Sequence, residues 1–171
     1  MNSITIKFNR LFDKLTSTAI GIIFTFSLIL LGTERLIAKL IFLINGSINN
    51  GAPFYLEMSL IDQFIWTVIM GPLFETIIFH FILMEILIHI FNKVAYGNWW
   101  VVSISAILFG SIHYYSIDYI IIAVIAGVVL SIAYIVAKKR NMIAFLVVFA
   151  IHAIHNFISW SLYGYKAGLI F

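Results

Sequence analysis

Long apolar runs dominate this sequence and constrain its fold more than any other feature. A transmembrane helix needs about 20 mainly apolar residues. Five runs meet that requirement, at residues 15–32, 60–91, 99–115, 118–137 and 142–163. Only 10% of the 171 residues are charged, whereas a soluble domain carries about a quarter. The sequence therefore predicts an all-α, polytopic transmembrane bundle of about five spans.

The apolar runs divide the chain into three segments. Residues 1–58 hold a basic start, the first span and a polar loop at 45–53 that is rich in turn-forming residues. Residues 59–163 form the predicted helical core, and residues 164–171 form a short tail.

The first span follows basic residues, as the apolar part of a secretory signal does. It is longer than such a region usually is, and no A-x-A-like cleavage site follows it. We therefore expect it to be retained. An amphipathic extension through Glu34, Arg35 and Lys39 can carry the helix to Ile44.

Basic residues predict the orientation, because cytoplasmic loops are enriched in Lys and Arg. A cytoplasmic N-terminus places three basic residues outside and seven inside, namely Lys7, Arg10, Lys14, Lys93, Lys138, Lys139 and Arg140. These residues flank apolar runs and form no patch, so the basic pI does not indicate nucleic-acid binding. The chain is predicted to be an integral membrane protein.

Ionisable residues inside the predicted spans are costly in lipid and are candidates for function. They are Asp62, Glu75, His80, Glu85, His89, His113, His152 and His155. Asp62 and Asp118 are expected at helix starts, where negative charge is favourable. Glu85 and His89, four residues apart, are expected to form a structural pair.

Three spans carry groups suited to hydrolysis. Glu75 follows Pro72, which lacks a backbone donor and loosens the helix. His152 and Asn156 lie one helical turn apart, and His113 lies near the end of its span. A desolvated glutamate can act as a general base, while imidazole and amide groups can polarise a carbonyl. The chain has no cysteine, which excludes a thiol nucleophile.

These motifs resemble those of the CPBP family of intramembrane peptidases, also called Abi or CAAX-processing proteases. The family carries a glutamate motif, EExxxR, after a proline, then FxxxH, then HxxxN. Glu75 matches the first motif, Phe109 and His113 match the second, and His152 and Asn156 match the third. The resemblance covers about residues 60–160.

Two positions depart from the family pattern. Thr76 stands where the second glutamate is expected, and His80 stands where the arginine is expected. In the family pattern these two residues can form an ion pair four positions apart. Here we expect a neutral hydrogen bond between Thr76 and His80, or a shared partner.

The resemblance implies a role for each matched residue. Glu75 would activate water with help from His113, and His152 and Asn156 would stabilise the oxyanion. Supporting positions around this site would be Thr76, His80, Phe109 and His155. The substrate would be a membrane-associated or lipid-modified peptide or protein, cleaved at the bacterial cytoplasmic membrane.

A metal-free mechanism without cofactor is the expectation that the resemblance favours. The alternative is a zinc site built from Glu75, His113 and His152, with water as the fourth ligand. The sequence has no H-E-x-x-H helix, which argues against zinc.

Two further functions stay open from the sequence. A non-catalytic member of the same family could serve as a bacteriocin self-immunity factor or a membrane scaffold, and Thr76 and His80 favour it. A small transporter would also explain buried histidines, but no internal repeat supports it. The oligomeric state and the identity of the substrate do not follow from the sequence.

Overall fold

The computed structural model describes residues 3–49 and 58–166, and over this part of the chain it contains helices and no strands. The six helices are α1 (Ser3–Leu15), α2 (Ala19–Asn45), α3 (Leu60–Phe91), α4 (Gly97–Ser111), α5 (Ile117–Lys139) and α6 (Ala144–Lys166). The predicted all-α class is therefore confirmed. Residues 50–53 of the predicted polar loop and residues 167–171 of the predicted tail lie outside the described residues.

Four of these helices, α2, α3, α5 and α6, are long and apolar enough to cross a membrane. The third predicted span is shorter than expected, because α4 has 15 residues and a length of about 22 Å. A hydrocarbon core is about 30 Å thick. An integral membrane bundle is confirmed, while its orientation stays a prediction.

The helix α3 departs from regular α-helical geometry on both sides of Pro72. Its segments Ile65–Met70 and Thr76–Ile82 are π-helical, and the backbone N–H of Gly71 donates to the carbonyl of Trp66, five residues earlier. In that register the next donor would be Pro72, which has no N–H. The carbonyl of Thr67 is therefore left to accept from another group.

The helix α5 packs against α2, α4 and α6 and forms the centre of the bundle. Two glycines allow α4 and α5 to approach closely, as small residues do in membrane proteins. A Cβ at Gly110 would lie 2.9 Å from the backbone nitrogen of Val124, and a Cβ at Gly127 would lie 2.9 Å from Cα of Ala106. This contact fixes the end of α4, which carries Phe109.

Both predicted helix starts are confirmed. Asp62 lies in the first turn of α3, where Ser59 caps the helix and donates its hydroxyl to Asp62 Oδ2 at 2.6 Å. Asp118 lies in the first turn of α5, where the hydroxyl of Ser116 accepts from the backbone N–H of Tyr119.

The predicted pair of Glu85 with His89 is wrong. Glu85 instead accepts hydrogen bonds from Lys138 at 2.5 Å and Tyr134 at 2.6 Å, both on α5, whereas His89 is exposed. An ammonium group on a facing helix forms a charge-assisted bond, which is stronger than a bond between neutral groups. Glu85 therefore ties α3 to α5.

Candidate active site

A cavity of about 280 Å³ opens inside the bundle, between α2, α3, α5, α6 and the end of α4. Its acidic, imidazole and amide side chains are Glu34, Glu75, His113, His152, His155 and Asn156. The structure thus brings together all four residues that the sequence singled out for hydrolysis. They come from three separate helical regions of the chain.

Glu75 lies between two imidazoles on the wall of this cavity. Its Oε2 atom is 3.5 Å from Nε2 of His152 and 3.9 Å from Nε2 of His113. Both separations exceed a normal N–H···O hydrogen bond, and they suit groups that act through one water molecule or on one reacting atom.

The ring of His113 has a defined tautomer. Its Nδ1–H donates to the carbonyl oxygen of Phe109 at 2.8 Å, and a carbonyl can only accept. The neutral ring therefore carries its lone pair on Nε2, the atom that faces Glu75. His113 and Glu75 present two acceptors to the space between them, an arrangement that suits binding and deprotonation of water.

The ring of His152 presents the opposite character. Its side chain is almost fully buried, and Nδ1 has no hydrogen-bond partner among the described residues. The ring proton is therefore best placed on Nε2, which faces Glu75. His152 can donate a hydrogen bond at the point where His113 can accept one.

Asn156 is held by the backbone of α3. Its amide Nδ2 donates to the carbonyl of Thr67 at 2.9 Å, which is the acceptor that Pro72 leaves without a backbone donor. An amide nitrogen carries two hydrogens, so a second one is available for another acceptor. Because Asn156 lines the cavity, that acceptor can be a bound substrate.

The phenyl ring of Phe109 packs against three imidazoles. Its centroid lies 4.8 Å from that of His113, 5.8 Å from that of His152 and 5.1 Å from that of His80. Phe109 is buried in the core. The family motif residue thus serves as an apolar support that limits how these rings can turn.

The predicted hydrogen bond between Thr76 and His80 is wrong. Both side chains are fully buried, but Thr76 Oγ1 has no partner among the described residues, and His80 Nδ1 lies 3.5 Å from the hydroxyl of Ser131. Both belong to a π-helical segment, where the five-residue register removes the alignment expected at four residues. Neither residue lines the cavity.

Glu34 is a cavity residue that the sequence reasoning missed. Glu34 lies on α2, and its carboxylate contacts Nε2 of His155 on α6. His155, which the sequence predicts as a supporting residue, also lines the cavity itself. The first apolar run ends at Gly32, and the sequence places Glu34 in its amphipathic extension. The sequence does carry a signal for Glu34, because it is an acidic residue just beyond an apolar run and on the same predicted helix.

The zinc alternative names Glu75, His113 and His152 as its three ligands. Among the described residues, no group of three or more His, Asp and Glu side chains is arranged to hold a metal ion. Glu75, His113 and His152 are thus close together without forming such a set. Metal dependence stays a prediction for experiment.

A comparison with known protein families matches the chain to one of them. A family model described as "Type II CAAX prenyl endopeptidase Rce1-like" matches residues 57–158, which is more than half of the sequence. The chain belongs to this family. Membership in the Rce1-like family supports a function of the same kind as that of CAAX-type intramembrane proteases.

The Rce1-like match contains the four predicted site residues and begins only a few residues before α3. The helices α1 and α2, including Glu34, lie outside it. No curated protein and no solved structure matched the chain.

Proposed function

We propose that this chain is an intramembrane endopeptidase that hydrolyses a peptide bond in a membrane-associated, prenylated protein, with Glu75 activating the attacking water. The observation that carries the proposal is the position of Glu75 on the cavity wall, with its Oε2 atom 3.5 Å from His152 and 3.9 Å from His113. Family membership supports the class of reaction and of substrate.

The first chemical step uses the two acceptors that face each other, the carboxylate of Glu75 and Nε2 of His113. A water molecule between them donates one hydrogen to Glu75 and the other to Nε2 of His113. Its oxygen attacks the scissile carbonyl carbon as Glu75 takes the proton, and the carbonyl oxygen becomes an oxyanion. Glu75 then returns the proton to the leaving amine as the C–N bond breaks.

The donors on α6 stabilise the oxyanion. The Nε2–H group of His152 and the second N–H of Asn156 supply two hydrogen bonds at the cavity wall. Both side chains are held before substrate arrives, since His152 is buried and Asn156 is bonded to Thr67. Preorganised donors of this kind act strongly in a site that excludes most water.

The remaining walls suit an apolar substrate. They include Leu30, Trp66, Ile112, Ile122, Ala126 and Leu130. Such side chains can bind aliphatic residues and part of a lipid chain by burial of apolar surface. The mechanism uses only side chains of this protein, with neither a metal nor a cofactor.

A non-catalytic family member is the alternative that one observation favours. Thr76 removes the carboxylate expected beside Glu75, and its hydroxyl does not reach the cavity. Such a protein would bind a peptide in the same cavity without cleaving it. Family membership argues against the transporter.

A comparison of whole membranes tests the proposal. Cells carrying wild-type protein, Glu75→Gln or His89→Asn are analysed by proteomics for membrane proteins that keep their C-terminal residues. We expect a precursor to accumulate with Glu75→Gln only, because His89 lies on the same helix but is exposed and outside the cavity. Equal levels of every precursor in all three strains would support the non-catalytic alternative.

A further inference from the structure

A chain of hydrogen-bonding groups joins α2 to the cavity. Glu34 Oε2 contacts His155 Nε2, and His155 Nδ1 lies 3.1 Å from Asn156 Oδ1. Asn156 Nδ2 in turn lies 2.9 Å from the carbonyl oxygen of Thr67. The chain therefore connects α2, α6 and α3 through the amide that is proposed to stabilise the oxyanion.

The direction of each bond follows from its end at Thr67. A carbonyl oxygen can only accept, so the Asn156 group that faces it must be the NH₂ group. The other side of the amide is then the oxygen Oδ1, which accepts. His155 must donate to it through Nδ1–H.

The donation from Nδ1–H of His155 to Asn156 limits how Nε2 of His155 can contact Glu34. A neutral His155 ring with its proton on Nδ1 would turn the Nε2 lone pair towards the carboxylate of Glu34. Two acceptors in close contact repel each other, so the contact between Glu34 and His155 requires one proton between them. The pair is either imidazolium with carboxylate or imidazole with carboxylic acid, and both forms have zero net charge.

We propose that Glu34 is a positioning residue for Asn156, acting through His155. By holding a proton against Nε2, Glu34 fixes the His155 ring with Nδ1–H directed at Asn156. The amide is then held on both sides, by Thr67 at its nitrogen and by His155 at its oxygen. Its remaining N–H is kept towards the cavity, so the site extends beyond the family-matched segment to α2.

The inference deepens the proposed function and rests on it where turnover is concerned.

Glu34→Gln and Glu34→Ala separate the effects of shape and charge. A glutamine can donate an N–H to Nε2 of a neutral His155 and so preserve Nδ1–H. Alanine offers no partner and releases the ring. Arg35→Gln is the matched control, because Arg35 is the next residue on α2 and is exposed.

The first readout is the ¹⁵N NMR spectrum of the full-length protein with labelled histidines in nanodiscs. His155 is assigned by its loss in His155→Gln. We expect Nδ1 of His155 to carry a proton in wild type and in Glu34→Gln, with exchange between tautomers in Glu34→Ala. An unprotonated Nδ1 in wild type, or identical His155 signals in wild type and Glu34→Ala, would overturn the inference.

The second readout is cleavage of a synthetic prenylated CAAX peptide. We expect Glu34→Ala to lower kcat by about tenfold or more and to change KM less than about twofold, because the oxyanion exists only after substrate binding. Glu34→Gln should recover most of the loss. The double variant with Asn156→Ala should be no slower than Asn156→Ala alone, since residues that act as a unit are not additive.

The two readouts separate the two proposals. Predicted NMR signals together with no cleavage by wild-type protein would count against the proposed function and leave the hydrogen-bond chain supported. Cleavage by wild type that Glu34→Ala leaves unchanged would overturn the positioning role alone.

Discussion

The Nδ1–H of His113 donates to the carbonyl oxygen of Phe109 at 2.8 Å, one turn earlier in the chain. The imidazole thereby takes the place of a backbone N–H at the end of α4, where carbonyls lack helical partners. The same bond directs Nε2 towards Glu75. One hydrogen bond thus ends the helix and selects the tautomer that the proposed mechanism needs.

Asparagine at position 113 should separate these two effects. His113→Asn keeps a short amide donor for Phe109 but places no group near Glu75. We expect thermal stability close to wild type and a loss of turnover of about 10²-fold or more, the usual range for a group that assists proton transfer. His89→Asn is the control, because His89 is exposed and outside the cavity. Near-normal turnover of His113→Asn would remove His113 from the mechanism.

Valine at position 76 should be tolerated. Thr76 is fully buried and its hydroxyl has no partner among the described residues, and a buried polar group without a partner costs about 1–3 kcal/mol. We expect Thr76→Val to match or exceed wild type in thermal stability. Ser131→Ala, which loses bonds to Ser105 and His80, should be less stable. A large destabilisation by Thr76→Val would reveal a partner for this hydroxyl.

A methyl group at Gly110 should disturb the site. Its Cβ would lie 2.2 Å from a side-chain carbon of Val124 and 2.9 Å from the Val124 backbone nitrogen, so α4 and α5 must separate. We expect Gly110→Ala to lower both the melting temperature in detergent and turnover, because Phe109 moves with α4. Gly32→Ala has open space around it and should be neutral or slightly stabilising. Equal behaviour of the two variants would contradict the close packing.

Chelators should leave turnover unchanged if the proposed mechanism is correct. Glu75 then acts as a base, and its role needs no metal. The measurement is peptide cleavage before and after exhaustive dialysis against a chelator, with zinc analysis of the purified protein. Stoichiometric zinc in wild type that is lost in His113→Ala, with activity restored by added zinc, would give Glu75, His113 and His152 the role of ligands instead.

The sequence predicts much of the fold, because the cost of polar backbone in lipid leaves few alternatives to apolar helices. It also selects residues that meet at the cavity, since ionisable groups are expensive within spans. Glu75, His113, His152 and Asn156 all line that cavity. Their catalytic roles stay proposals.

Long-range contacts and local helix geometry were less predictable. Spacing along one helix predicts that Glu85 pairs with His89, but Lys138 and Tyr134 on α5 bind Glu85 instead. The predicted hydrogen bond between Thr76 and His80 likewise assumes four-residue α-helical spacing, whereas both residues lie in a π-helical segment of α3. Neither effect is visible in residue spacing, because the Glu85 contacts depend on which helices pack together and the Thr76 prediction depends on the local helix register.

Turnover of a prenylated CAAX peptide by purified wild-type protein and Glu75→Gln tests the central claim most directly. Glutamine keeps the shape of the side chain but cannot take a proton from water. We predict that wild type cleaves the peptide, that Glu75→Gln does so about 10²–10⁴-fold more slowly, and that peptide binding persists. Equal turnover by the two proteins would contradict the role of Glu75 as the base.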